Sequence, residues 1–199
     1  QMVDAAGNLY DGDQLLLAIV RSRARKAPVQ GVVGTLMSNL ALEHALADLK
    51  IPFARAAVGD RYVVEMLHRN GWLFGGENSG HILALDRHST GDGIIAGLQV
   101  LAAMREAACD LRTLLGALVL YPQKLINVPV AKGFVWQDCP AIQAVREAVE
   151  ARLLGRGRVL LRPSGTEPLL RVMVEGGDAA EVAAAAEEIA AAVRAAVAA

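Results

Sequence analysis

Aromatic side chains make up only 4% of the 199 residues, so the core has to be packed from Ala, Leu and Val rather than from rings. Cysteine is equally scarce. Cys109 and Cys139 lie far apart with no paired spacing, which suggests neither a disulfide framework nor a zinc site and makes a reducing cytoplasm the default. Neither sign of charge is in excess. Twenty basic and 21 acidic residues leave a net charge of −1, which argues against a broad polyanion-binding surface and against a nucleic-acid partner. Any phosphate affinity must therefore be local. No apolar run approaches the length of a membrane span and no charged-then-apolar leader is present, so no membrane partner is expected.

What the chain does have is 54% hydrophobic residues, ample for a core, and a length that suits one large domain or two small ones. Gln1 stands directly before an apparent strand, Met2-Val3, and this start reads as a cut through a longer protein. Residues 1–9 are then the tail end of a preceding domain. Asp11 or Asp13 caps a helix with Leu15, Leu16, Ile19 and Val20 on its apolar face. Arg21, Arg23, Arg25 and Lys26 at its end suit the negative pole of the helix dipole and read as a solvated cluster. Residues 31–37 form a buried strand, and Ser38 or Asn39 caps a helix bearing Leu42, Ala45, Leu46 and Leu49. Residues 51–58 form another strand, and Asp60 caps the helix after it. Strand and helix alternating in this way imply βαβ units.

Later, Thr90 or Asp92 caps a helix with Ile94, Leu98, Leu101 and Met104 on one face. A second unit begins near Tyr121-Pro122, with a strand at 124–131 and a helix from Pro140 to Leu154. Two more strands and an Ala-rich final helix, capped from Asp178, follow. The fold class is thus an α/β domain over residues 10–120, with βαβ units and a mixed sheet. A small α+β domain follows over residues 121–199, an antiparallel sheet with helices on one face. The two are expected to pack together across a short hinge.

Two loops concentrate polar chemistry. Arg162-Pro163-Ser164-Gly165-Thr166-Glu167-Pro168 lies between apolar runs that read as strands. It offers a guanidinium, two hydroxyls and the N–H groups of Ser164, Gly165 and Thr166. With Gly165 at positive φ, those N–H groups would form an anion nest. The alternative is a tight turn beside a surface arginine. Gly75-Gly76-Glu77-Asn78-Ser79-Gly80-His81 also lies between apolar strands. Glu77 and Ser79 suit vicinal sugar hydroxyls, and His81 suits proton transfer near neutral pH. A third position stands out for its placement. Arg61, in the first turn of a helix, faces the positive dipole end at a cost of a few tenths to about 1 kcal/mol. It reads either as a ligand-facing cation or as an ordinary exposed arginine.

These two loops, together with Val58-Gly59-Asp60-Arg61-Tyr62-Val63 and Thr90-Gly91-Asp92-Gly93, resemble the α-D-phosphohexomutases, and the likeness spans essentially the whole chain. Within that family it is strongest to the branch acting on hexosamine phosphates. The resemblance implies a four-domain enzyme of which this chain is the third and fourth domains. It implies interconversion of a sugar 6-phosphate and a sugar 1-phosphate through a phosphoserine and a bisphosphate intermediate. Alternatives are a hexose-phosphate specificity or a non-catalytic sugar-phosphate-binding module. By resemblance, Arg162, Ser164, Gly165 and Thr166 hold the spectator phosphate, with Arg171 secondary. Glu77, Ser79 and Arg61 contact the substrate, and His81 lies near the reacting oxygen. The nucleophilic serine and the Asp-Gly-Asp-x-Asp-Arg metal loop do not occur in these residues. The magnesium that the resemblance implies for the parent enzyme is then bound outside this chain. Asp11-Gly12-Asp13 is superficially similar to that loop but leads into a helix and is assigned no metal. The partners implied are a phosphosugar substrate and the N-terminal half of the same protein; a homodimer is left open.

Overall fold

A computed structural model describes residues 1–116 and 118–198. The chain divides into two compact units, Gln1–Leu120 and Tyr121–Ala199.

The first unit opens with Met2–Val3 (β1) paired antiparallel with Leu9–Tyr10 (β2). Helix α1, Gly12–Ala24, starts in a capping box: the Asp11 carboxylate accepts from the Gln14 N–H, and the Gln14 side chain accepts from the Asp11 N–H. There follow β3 (Val32–Thr35), α2 (Leu40–Asp48), β4 (Phe53–Ala56), α3 (Asp60–Asn70), β5 (Phe74–Gly76), β6 (Ile82–Ala84), α4 (Gly93–Ala107) and α5 (Leu111–Leu115). The sheet order is β4-β3-β5-β6. β3 pairs parallel with β4 and β5, while β5 and β6 form an antiparallel pair, so the sheet is mixed.

Strand alternation gives this sheet two cores. Val32, Phe74 and Ile82 face a large cluster with Leu16, Leu42 and Val100. Val33 and Leu83 face the other way, onto Val63 and Leu67 of α3. Each such fully buried branched side chain contributes about 1.5–3 kcal/mol.

Four local expectations differ. The N-cap of α3 is Gly59 rather than Asp60, whose carboxylate instead accepts from the Arg61 N–H. Leu49 lies past the end of α2 and is exposed. In α4 the buried residues are Ala96, Val100 and Ala103, while Ile94, Leu98 and Leu101 point outward. Small residues win the inner face because α4 packs on α1. The basic end of α1 is also less solvated than its charge suggests. Arg21 donates to the carbonyls of Leu114 and Leu115, Arg23 bonds Gln99 and pairs with Asp86, and Lys26 pairs with Glu106.

The second unit runs β7 (Gln123–Pro129), a 3-10 turn (Trp136–Asp138), α6 (Pro140–Leu153), β8 (Gly157–Pro163), β9 (Leu169–Gly176) and α7 (Ala179–Ala198). Its sheet, β7-β9-β8, is antiparallel throughout. Leu170, Val172 and Val174 of β9 pack with Ile142, Val149, Ile189 and Val193 of the two helices. The alternate residues Arg171, Met173 and Glu175 therefore face away from the helices. Register places Asn127, Arg171 and Arg162 in one cross-strand row there, and Gln123, Glu175 and Arg158 in another. The second row is satisfied internally: Glu175 is fully buried, pairs with Arg158 and accepts from Gln123.

Candidate functional site

In the first unit, three of the sequence segments singled out meet around residues 77–81. The loop is closed by its own backbone, Glu77 N–H to His81 carbonyl at 3.0 Å and Gly80 N–H to Glu77 carbonyl at 2.9 Å. Gly12, at the start of α1, donates to the Asn78 carbonyl at 2.9 Å and fixes the loop from below. The Glu77 carboxylate accepts from the Gly59 N–H at 3.0 Å, so this carboxylate joins the loop to the start of α3. Asp60 Oδ2 lies 3.6 Å from His81 Nε2. That nitrogen is buried and has no hydrogen-bond partner among the described residues. A Cβ on Gly91 would overlap His81 Nε2, so the absence of a side chain at 91 is what admits the imidazole. Ser79 is exposed at the loop tip.

Chemically this is a half-buried carboxylate and an imidazole on a short rigid hairpin, with a hydroxyl at the rim. Such a set can hold vicinal hydroxyls and exchange a proton with one of them. Asp60 and Gly91 are residues that sequence reading had treated as helix-start chemistry; their proximity to His81 is visible only once the strands are paired. Arg61 goes elsewhere. Its guanidinium pairs with Glu65 at 2.8 Å, one turn along α3, and its side chain is 80% exposed.

In the second unit, β8 extends through Pro163, so Arg162 belongs to the ladder and not to the loop. It stands opposite Arg171 of β9. Burial, and then the Arg171 charge, lower the Arg162 pKa from the usual guanidinium value. The Nε atoms of both arginines are buried without a partner among the described residues. Arg171 Nη2 is 3.5 Å from the Ser164 hydroxyl and 3.9 Å from the Glu167 carboxylate. Arg162 pairs with no carboxylate among the described residues.

The loop itself differs from a three-donor nest. Ser164 N–H is committed to the Leu169 carbonyl at 2.8 Å, and Gly165 does not adopt positive φ. The turn is made instead by the Ser164 hydroxyl, which accepts from Glu167 N–H at 3.3 Å. The N–H groups of Gly165 and Thr166 remain as donors. A cavity of about 660 Å³ lies between this loop and residues 130–135. Ser164, Thr166 and Glu167 line it; Arg162 and Arg171 do not, so Ser164 is the link between cavity and arginine pair. The residue sequence reading missed here is Lys132, on the opposite wall.

Among the described residues no group of three or more His, Cys, Asp or Glu side chains has the arrangement to hold a metal ion. Asp11 is committed as the cap of α1, and Asp13 accepts from the Asn39 N–H at 2.7 Å. These residues do not fit a magnesium site.

Residues 11–121 match the phosphoglucomutase/phosphomannomutase alpha/beta/alpha domain III, and residues 125–192 the C-terminal domain of the same family. The chain is 77% identical over 194 residues to phosphoglucosamine mutase from Dechloromonas aromatica, covering 98% of this chain and 43% of that protein. It is 58% identical to phosphoglucosamine mutase from Aromatoleum aromaticum, over 97% of this chain and 43% of that one. The chain thus spans less than half the length of these curated relatives. Its fold is similar to N-acetylphosphoglucosamine mutase from Aspergillus fumigatus, solved with GlcNAc-6P and magnesium. That match has a TM-score of 0.82 at 21% identity and covers 98% of this chain and 46% of the other.

Proposed function

This chain belongs to the phosphoglucomutase/phosphomannomutase family as its domain III and C-terminal domain, and on that premise we propose that it is the substrate-recognition half of a phosphoglucosamine mutase. The whole enzyme would interconvert glucosamine 6-phosphate and glucosamine 1-phosphate and serve amino-sugar and cell-wall precursor synthesis. A phosphoserine gives its phosphoryl group to the sugar, and the resulting bisphosphate returns its other phosphate to the serine. On this reading both the serine and the magnesium that assists transfer would lie outside this chain.

The part left to these residues is positioning, on which phosphoryl transfer chiefly depends. Arg162, Ser164, Gly165 and Thr166 hold the phosphate that is not reacting, and Arg171 supports them through Ser164. Glu77 and Ser79 hold sugar hydroxyls, and His81 exchanges a proton with the reacting oxygen. Arg61 adds positive potential from α3. The observation that carries the phosphate assignment is the Arg162–Arg171 pair, two arginines directly opposite each other with no carboxylate closer than 3.9 Å among the described residues. An arriving dianion converts their mutual repulsion into attraction.

The chain alone is expected to bind glucosamine 6-phosphate measurably by calorimetry and to show no turnover in a coupled mutase assay. Turnover by the chain alone would place the chemistry here and overturn the division of labour. Absence of binding would overturn the recognition role. Homodimerisation of the chain is a separate proposal, decided by sedimentation equilibrium.

A further inference from the structure

We infer that Lys132 is a second cationic contact for the bound phosphate, set on the wall of the cavity that faces the Ser164–Thr166 loop. The inference rests on the phosphate assignment just proposed and extends it to a segment 30 residues away in sequence. Residues 130–135 leave β7 and fold back beside the loop, where Val130 N–H donates to the Pro168 carbonyl at 2.9 Å. Directly beyond this bond the chain turns. Phe134 N–H donates to the Ala131 carbonyl at 3.0 Å, and Gly133 sits at φ +84°. A bond across four residues with positive φ at the third is a type II turn, which places Lys132 at its first corner. A Cβ placed on Gly133 would meet nothing within 4 Å, so the glycine's place in the turn is conformational rather than steric.

The cavity between the turn and the loop has mostly apolar walls, from Val130, Phe134, Val135 and Leu169. Its charged lining side chains are Lys132 and Glu167. Glu167 lies 3.9 Å from Arg171, and no carboxylate among the described residues pairs with Lys132. On the loop side stand the Ser164 and Thr166 hydroxyls and the open N–H groups of Gly165 and Thr166. A lysine on a pinned turn, lining the same cavity as these hydroxyls and amide donors and paired with no carboxylate among the described residues, is suited to a phosphomonoester dianion.

The test uses the 199-residue chain, with glucosamine 6-phosphate and inorganic phosphate each titrated by calorimetry. Wild type, Lys132→Gln, Lys132→Arg and Arg162→Ala are compared after circular dichroism has established that each is folded. Lys132→Gln is expected to weaken both probes about three- to fivefold, as for a partly exposed charge contact, and to flatten the salt dependence. Lys132→Arg is expected to restore most of the loss. Unchanged affinity of Lys132→Gln for both probes, with Arg162→Ala impaired, overturns the inference and leaves the loop assignment standing. Loss for the sugar phosphate alone overturns it too, because the contact is then to the sugar. Wild-type chain that binds neither probe, or Arg162→Ala that binds as wild type does, overturns the loop assignment and this inference with it.

Discussion

Arg162 stands directly opposite Arg171 in the ladder joining β8 to β9. Like charges in that relation ordinarily destabilise a sheet by a few tenths to about 1 kcal/mol. One row is spared this problem. Four ladder positions from Arg162 on the same sheet, Arg158 meets Glu175, and the charges cancel within the fold. The contrast separates a structural arginine from one whose counterion comes from outside.

Arg162→Ala is therefore predicted to affect binding and stability differently. A charge-assisted hydrogen bond contributes about 1.5–3 kcal/mol, so affinity for glucosamine 6-phosphate should fall at least roughly tenfold. The melting temperature should stay level or rise, because the substitution removes a repulsion and opens no buried ion pair. Arg158→Ala should do the reverse, lowering stability by stranding the buried Glu175 carboxylate and leaving phosphate affinity intact. Calorimetry and thermal unfolding of both variants check the pattern. Equal destabilisation of the two would mean that Arg162 is simply a sheet residue.

Gly91→Ala is predicted to displace the His81 ring, since the new methyl group would occupy the position of Nε2. Overpacking of this kind costs about 1–3 kcal/mol unless a neighbour yields. The imidazole resonances of His81 should shift while those of His44, on α2, stay in place. A spectrum unchanged at His81 would mean that the 90–93 segment does not shape the imidazole's setting.

How much of this was readable beforehand depended on what kind of signal each feature leaves. The mixed and antiparallel sheets followed from the alternation of apolar runs with helix caps, and those caps are mostly where side-chain chemistry puts them, at Asp11, Asn39 and Asp92. Helix α4 shows the limit of periodicity. Ile94, Leu98 and Leu101 do share a face, but spacing cannot say whether that face or the alanine face turns inward, and close packing on α1 selects the alanines. The phosphate loop was found by its residue types, whereas its cross-strand arginine pair required the register. Lys132 left no signal of its own, because a lysine before glycine is ordinary turn composition until the turn is seen beside Ser164.

Arg61→Ala is predicted to leave stability nearly unchanged, because an exposed pair one helical turn apart contributes little. Its effect on sugar-phosphate affinity is the informative part. Glu65 competes with any ligand for this guanidinium, so Glu65→Gln should strengthen binding modestly, and Arg61→Ala should weaken it and cancel the effect of Glu65→Gln in the double variant. Calorimetry on the three variants measures this coupling. An affinity indifferent to all of them would reduce Arg61 to a surface residue.

Asp13 provides a pH-dependent prediction. The residue is fully buried in the first turn of α1, and its Oδ1 has no hydrogen-bond partner among the described residues. Burial pushes its pKa up from 3.8 to about 7; the Asn39 N–H, the Ser38 hydroxyl and Arg55 oppose the rise, and Asp11 adds to it. Between those two values the folded state holds a proton that the unfolded state has released. Stability linked to Asp13 is therefore complete below the unfolded value, declines as pH rises, and is lost above about 7. Asp13→Asn keeps an acceptor for Asn39 and carries no charge at any pH. Its stability relative to the wild type should accordingly improve from pH 5 to pH 8, by an amount on the order of 1–3 kcal/mol. Denaturant unfolding at the two pH values measures the difference. Parallel stability curves for the two proteins would mean that Asp13 is already ionised in the folded chain at pH 5, its charge compensated by Arg55 and Asn39.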